Sequence, residues 1–200
     1  MKAIYFRTIC EVGVGPPEWS QFSDILDTAC YRKALLIDPD PGFCAALRQR
    51  WPDPRVQVCE NAVIEGKPRP VEMINCSATT YVKGIKHCPA MEAGYDHTNK
   101  DQYFLDHDLN PADYPNYTTA GVPFSCLDDG EIDVLAADCE GSEWFVLQDM
   151  RSRPWFIRLE TSYEHPYRQE IANWLAREGY EEIIRDGSDT LWKKTWPVDK

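Results

Sequence analysis

The chain has 200 residues and a formal net charge of −12, with hydrophobic residues at 43% and aromatic residues at 12%. That length supports one α/β domain with a sizeable core, and that apolar share excludes an unfolded, solvating chain. The negative charge and the lack of any Lys/Arg run exclude nucleic acid as the expected partner, because phosphate backbones are bound by basic surfaces. No stretch approaches the eighteen or so apolar residues of a membrane span, and no leader pattern opens the chain. The expected partners therefore include no membrane, and the expected location is cytoplasmic. The eight cysteines are scattered singly without a CxxC pair, and read as small apolar residues rather than disulfides or metal ligands.

Ile4 to Val12 is an apolar, β-branched run that stops at Gly13-Val14-Gly15-Pro16-Pro17, a strand entering a tight turn. Phe22, Ile25, Leu26 and Ala29 then recur at helical spacing, which predicts a helix over 18–31. Ala34 to Ile37 is a short continuous apolar run of the kind buried on both faces of a parallel sheet, ending at Asp38-Pro39-Asp40-Pro41. Phe43, Leu47 and Trp51 mark a second helix, and Val56 to Val63 a third strand. Ile132 to Ala137, a helix over 142–150, Trp155 to Glu160 and a helix carrying Ile171, Trp174 and Leu175 continue the alternation. Two short strands around Glu181–Ile184 and Thr190–Lys194 then form a hairpin across Asp186-Gly187-Ser188-Asp189. The expected fold class is α/β, a mainly parallel sheet ending in an antiparallel hairpin, with helices on both faces.

Residues 77–126 carry prolines, three of the four histidines and seven aromatics without clear period. This stretch reads as an insertion serving as lid or acceptor-binding element within a single domain over 1–200. Tyr81, Tyr95, Tyr103, Phe104, Tyr114 and Tyr117 are its candidate acceptor contacts. His87, His97 and His107 show no metal-ligand spacing.

In an open parallel sheet, ligands bind beyond the carboxyl ends of the strands where strand order reverses. Glu11, Gly13 and Gly15 end the first strand, Asp38 and Pro39 the second, and Asn61 and Ala62 the third. Glycines permit close backbone approach to a ligand. Glu11 can accept from an ammonium group, Asp38 from vicinal ribose hydroxyls, and Asn61-Ala62 can edge an adenine. A pyrophosphate needs a third glycine at the helix start, where Glu18 stands. Negative charge there disfavours a nicotinamide dinucleotide and suits a sulfonium cation.

The stretch Val122-Pro123-Phe124-Ser125-Cys126-Leu127-Asp128, followed by Ile132-Asp133-Val134-Leu135-Ala136-Ala137-Asp138-Cys139-Glu140-Gly141-Ser142-Glu143 and Val146-Leu147, resembles the signature of the FkbM-type methyltransferases. The likeness extends to Glu11–Gly15, Asp38–Pro41, Arg158-Leu159-Glu160, Gly179-Tyr180 and Ser188–Leu191. The resemblance implies a Rossmann-like class I fold, S-adenosyl-L-methionine as cofactor, and methyl transfer to a hydroxyl of a sugar or secondary metabolite. The sequence departs from the family in its first glycine turn, in Ala136 where a lysine is usual, and in starting almost at the first strand. The last departure suggests an open site or one completed in a homo-oligomer.

Methyl transfer to a hydroxyl benefits from a positioned base. Asp138 and Glu140, after the fourth parallel strand, are the first candidates, with His165 as another catalytic candidate beside Glu160. Glu143 reads as capping or solvated. Asp138, Glu140 and Glu160 could together hold Mg²⁺, although the expectation is no metal. The competing functions are a non-catalytic domain that binds cofactor or partner, and, with less support, an NAD(P)-dependent oxidoreductase.

Overall fold

The computed structural model describes residues 5–76, 79–85, 104, 109–161 and 165–195. Its ten strands form one sheet: β1 (Phe6–Val12), β2 (Tyr31–Asp38), β3 (Val56–Val63), β4 (Arg69–Cys76), β5 (Thr79–Val82), β6 (Tyr117–Val122), β7 (Ile132–Ala137), β8 (Phe156–Glu160), β9 (Tyr180–Asp186) and β10 (Asp189–Lys194). The order across the sheet is β5-β4-β6-β3-β2-β1-β7-β8-β10-β9. Strands β6, β3, β2, β1, β7 and β8 run parallel, and antiparallel strands flank them at both ends. The expected α/β fold with a terminal hairpin is therefore observed. The chain leaves β1 towards β2 and β3 on one side and returns to β7 on the other. The reversal of strand order thus falls between β1 and β7, which is where a ligand cleft opens in such sheets.

Both faces of the parallel strands are covered. Leu35 and Ile37 of β2 enter one apolar cluster while Ala34 and Leu36 enter the other. This period-two division explains why the sequence there is apolar throughout rather than alternating. Helices α1 (Ser23–Thr28) and α2 (Pro41–Arg50) bring Phe22, Leu26, Leu47 and Trp51 to one face. Helices α3 (Glu143–Asp149) and α4 (Arg168–Arg177) bring Val146, Leu147, Ile171, Trp174 and Leu175 to the other. Asp40 caps α2, its carboxylate accepting from the Gly42 and Phe43 amides at 2.7 and 3.0 Å. Pro41 follows at a position where a missing N–H costs nothing. Among the described residues, no helix is long and apolar enough to cross a membrane.

One expectation needs correction. The helix predicted over 18–31 is broken into a 3-10 turn, Pro17–Trp19, and the six-residue α1, and Tyr31 already begins β2. Ser20 interrupts it: its backbone leaves the helical region at ψ 124°, and its hydroxyl donates to Glu11. The stretch 77–126, read as an insertion, also contributes β5 and β6, and β6 lies between β3 and β4 inside the sheet. Cys10, Cys30, Cys44, Cys59 and Cys126 are reduced, and Cys10 and Cys44 are buried, where desolvation pushes both thiols up and keeps them inert. Tyr95, Tyr103, His87, His97 and His107 lie outside the described residues.

Candidate functional site

The ends of β1, β2, β3 and β7 converge on one cleft. It is lined by Glu11, Gly13, Gly15, Asp38, Pro39, Asn61, Ala62, Asp138 and Glu140, nine of the ten positions singled out from the sequence. About 930 Å³ of non-protein space lies between its walls, open solvent included.

The β1 turn is shaped by its neighbours. Gly13 has φ +78°, and a Cβ there would lie 1.7 Å from the Asp138 carbonyl oxygen. The two loops that face the ligand thus touch backbone to backbone. Gly15, at φ +66°, donates its N–H to Asp38 at 2.8 Å, and the other Asp38 oxygen accepts from the Asp40 N–H at 2.8 Å. One carboxylate thereby ties the first loop to the second. Each oxygen keeps a lone pair for a ribose hydroxyl. Burial pushes the Asp38 carboxyl up to about 6, against the lowering pull of those two amides.

Glu11 is also buried. It accepts from the Ser20 hydroxyl at 2.7 Å and the Gln21 N–H at 2.8 Å, and desolvation still carries its carboxyl up to about 7. Asn61 donates its side-chain amide to the Ala120 carbonyl at 3.3 Å, so its role beside β6 is partly structural.

Past β7, the carboxylate oxygens of Asp138, Glu140 and Glu160 come within 4.8 Å of one another. Burial, then the charges of Glu143 and Asp189, raise Asp138. Burial, then Asp138 and Glu143, raise Glu160, which bonds to Asp138 through its side chain. Two carboxyls make that bond only when one holds a proton, and Glu160 is the one held neutral. Glu140 is raised by burial and by the same neighbours. The cluster has the spacing to share a proton or to take a cation.

His165 is the exception among the ten. It does not line the cleft; its side chain is fully buried and its Nε2 meets Glu143 at 2.8 Å. Its Nδ1 accepts from the Tyr167 N–H at 3.1 Å, which places the ring proton on Nε2. Glu143 is likewise fully buried rather than solvated. It, and not Glu140, accepts the main-chain amides ahead of α3.

Sequence reasoning missed several lining residues. Trp19 stands at the rim, 56% exposed, against Gly15. Gln21, Phe43, Met73 and Thr80 complete the wall, joined by Tyr81 and Tyr117 from the stretch assigned to acceptor contacts. An exposed tryptophan two residues after a Pro-Pro turn was the one available signal. Phe104 and Tyr114 pack on each other at 5.5 Å; Tyr114 borders a second hollow that shares Trp19, Asp40, Phe43 and Thr80 with the cleft.

The sequence matches the model of the methyltransferase FkbM domain over residues 11–182. The fold is similar to the crystal structure of a methyltransferase FkbM from Methylobacillus flagellatus KT, at a TM-score of 0.56 and 16% identity. That alignment covers 94% of this chain and 43% of the other, so the chain spans less than half the length of that protein. Comparison with curated proteins gives no match. The family match takes in the β1 turn, the Asp38 loop and the Asp138–Glu143 stretch together, and the chain belongs to the methyltransferase FkbM domain family.

Proposed function

We propose that the protein transfers a methyl group from S-adenosylmethionine to a hydroxyl of a small molecule, a sugar or a secondary metabolite. The observation that carries this reading is the distribution of carboxylates at the strand-order reversal. Asp38, its oxygens directed by two loop amides, lines the same cleft as Glu11 and Asp138. A pyrophosphate would meet three acidic side chains there, whereas a ligand with ribose hydroxyls, a sulfonium and an ammonium meets acceptors throughout. These carboxylates disfavour a nicotinamide dinucleotide.

S-adenosylmethionine supplies an electrophilic methyl carbon when bound. Asp38 would hold the ribose hydroxyls, Pro39 and Ala62 would flank the adenine, and Glu11 would accept from the ammonium. Asp138 would face the reacting end and take the proton that the acceptor hydroxyl loses as its oxygen gains the methyl group, the methyl carbon–sulfur bond breaking to leave S-adenosylhomocysteine. Burial and the Glu143 charge raise Asp138 towards neutrality, which strengthens it as a base. Glu160, already protonated beside it, keeps Asp138 the ionised member of the pair. His165 does not fit the part of base, since its free lone pair is taken by the Tyr167 amide.

The acceptor would enter past Thr80, Tyr81 and Tyr117, with the stretch 77–126 serving as cover. The same proposal places the protein in the cytoplasm, acting alone or as a homo-oligomer on a small molecule.

The test is formation of S-adenosylhomocysteine from S-adenosylmethionine across a panel of hydroxylated acceptors, followed by mass spectrometry. Asp138→Asn should retain cofactor affinity and lose turnover by roughly a hundredfold or more, the usual worth of a general base. Full activity in that variant would reject the assigned role. Cofactor binding with no turnover on any acceptor would favour the non-catalytic reading.

A further inference from the structure

Glu143 is a fully buried carboxylate that the proposed chemistry does not use. Its Oε1 accepts from the Cys139 N–H at 2.6 Å, and its Oε2 accepts from the Gly141 N–H at 2.9 Å and from His165 Nε2 at 2.8 Å. The two amides bracket residue 140. Glu140 and Gly141 stand at φ +52° and +99°, left-handed values that a non-glycine residue such as Glu140 adopts only when its surroundings impose them. The carboxylate is thus the anchor around which the Asp138–Gly141 turn is wound. His165, fixed in turn by the Tyr167 amide, donates the bond that keeps Glu143 from rotating.

We propose that Glu143, clamped by His165, is the positioning residue of this site: it sets the turn that presents Asp138 and Glu140 to the cleft. The proposal rests on the methyltransferase reading for the use made of Asp138, while the clamp itself is a property of this chain's residues alone. It gives His165 a task that explains its burial, and it extends the capping expected of Glu143 to the whole turn ahead of α3. Glu143 also acts at a distance. Its charge is the second cause, after burial, that raises Asp138. The other charged groups facing Asp138 are Asp189 on β10, Glu160 and Arg158 on β8, Glu140 in the turn, and Glu11 on β1. Among these, the side-chain bond from Glu160 and then Arg158 oppose the rise, and the Arg158 guanidinium is engaged with Asp189 at 2.6 Å.

The test uses the full chain and needs no acceptor. Carboxyl ¹³C NMR follows the titration of Asp138, and amide hydrogen exchange follows Cys139 and Gly141, in wild type, Glu143→Gln, His165→Gln and His165→Leu. A glutamine at 165 places an amide N–H where Nε2 lies and should restore the clamp, with protection and the Asp138 titration close to wild type. Leucine at 165 removes the donor and should lower protection at both amides by roughly tenfold or more, the equivalent of one lost charge-assisted bond. Glu143→Gln removes the charge and should move the Asp138 titration to lower pH, a shift that a purely space-filling role would not produce. Unchanged protection in His165→Leu, or failure of glutamine to restore it, overturns the clamp even if Glu143→Gln does not fold. An unmoved Asp138 titration in folded Glu143→Gln overturns the coupling to the base. S-adenosylhomocysteine affinity of the wild type, measured on the same samples, reports on the methyltransferase reading separately.

Discussion

The carbonyl oxygen of Asp138 occupies the space that a side chain on residue 13 would need, 1.7 Å from an ideal Cβ on Gly13. The β1 loop and the β7 loop are held together by this contact, and the Asp138 N–H closes it from the other side by donating to the Val12 carbonyl at 3.0 Å. Gly13→Ala must therefore separate the two loops, and it also places a side chain at φ +78°. The expected outcome is loss of S-adenosylhomocysteine binding by roughly a hundredfold, about 2.7 kcal/mol, with the circular dichroism of the sheet retained. Calorimetric titration of the variant checks it; wild-type affinity would show that the loops do not define the site.

Asp38 makes the second prediction. Asp38→Ala removes the acceptor of both the Gly15 and Asp40 amides, so two loops loosen and the ribose partner is lost. Cofactor affinity should fall by roughly tenfold to a hundredfold, the worth of one or two bonds to a charged group. Asp38→Asn, which keeps one acceptor oxygen, should fall between. Equal binding by all three proteins would remove Asp38 from the site.

The pH dependence follows from Glu11. Its folded-state carboxyl is raised from 4.5 to about 7, chiefly by burial. A raised carboxyl binds its proton more tightly folded than unfolded, so the stability it lends is full below pH 4.5 and is lost as pH rises through 7. At about 1.4 kcal/mol per pH unit the loss is on the order of 3 kcal/mol. Glu11→Gln should therefore melt higher than wild type at pH 8, with the difference vanishing near pH 4. Ligand binding runs the opposite way. An ammonium needs the ionised form, so wild-type affinity should drop as pH falls from 8 to 6, approaching about tenfold per unit below the titration point. In Glu11→Gln that slope should disappear, and its persistence would assign the pH dependence to another group.

Asp128 carries a stability prediction. It accepts from the Arg151 and Ser152 amides at 2.6 and 2.7 Å, from the Ser152 hydroxyl, and from the Gly130 amide at 2.8 Å. Ser152 Oγ is in turn 3.0 Å from the Ile132 N–H at the start of β7. Asp128→Ala strands several buried donors at once and should cost about 3 kcal/mol or more, read as a lower urea midpoint. A change under 1 kcal/mol would show that water replaces the carboxylate.

The parallel centre of the fold was legible because strands covered on both faces must be apolar throughout. Ile132–Ala137 and Val56–Val63 were read at their exact bounds. Strands β4 and β6 were not read. Arg69–Cys76 and Tyr117–Val122 have one face in solvent and carry Arg, Glu, Asn and Thr, so they lack an apolar run and resemble loop. In the site, Asp38, Glu11 and the glycines were legible from their place at strand ends. The roles of Glu143 and His165 were not, because spacing along the chain does not reveal that residues twenty-two apart meet in the interior. Asp128 and Asp133 illustrate the same limit. They stand in the family signature, yet Asp133 binds the Arg7 amide and guanidinium at 2.7 to 3.0 Å and both serve the scaffold.

The most direct test of the central claim is calorimetric titration of the purified protein with S-adenosylhomocysteine, with NADH run alongside. Saturable one-to-one binding of the former in the micromolar range is expected, weakened roughly a hundredfold by Gly13→Ala, with no heat from the latter. Binding of NADH, or the absence of any S-adenosylhomocysteine binding by the folded protein at pH 8, would contradict that claim.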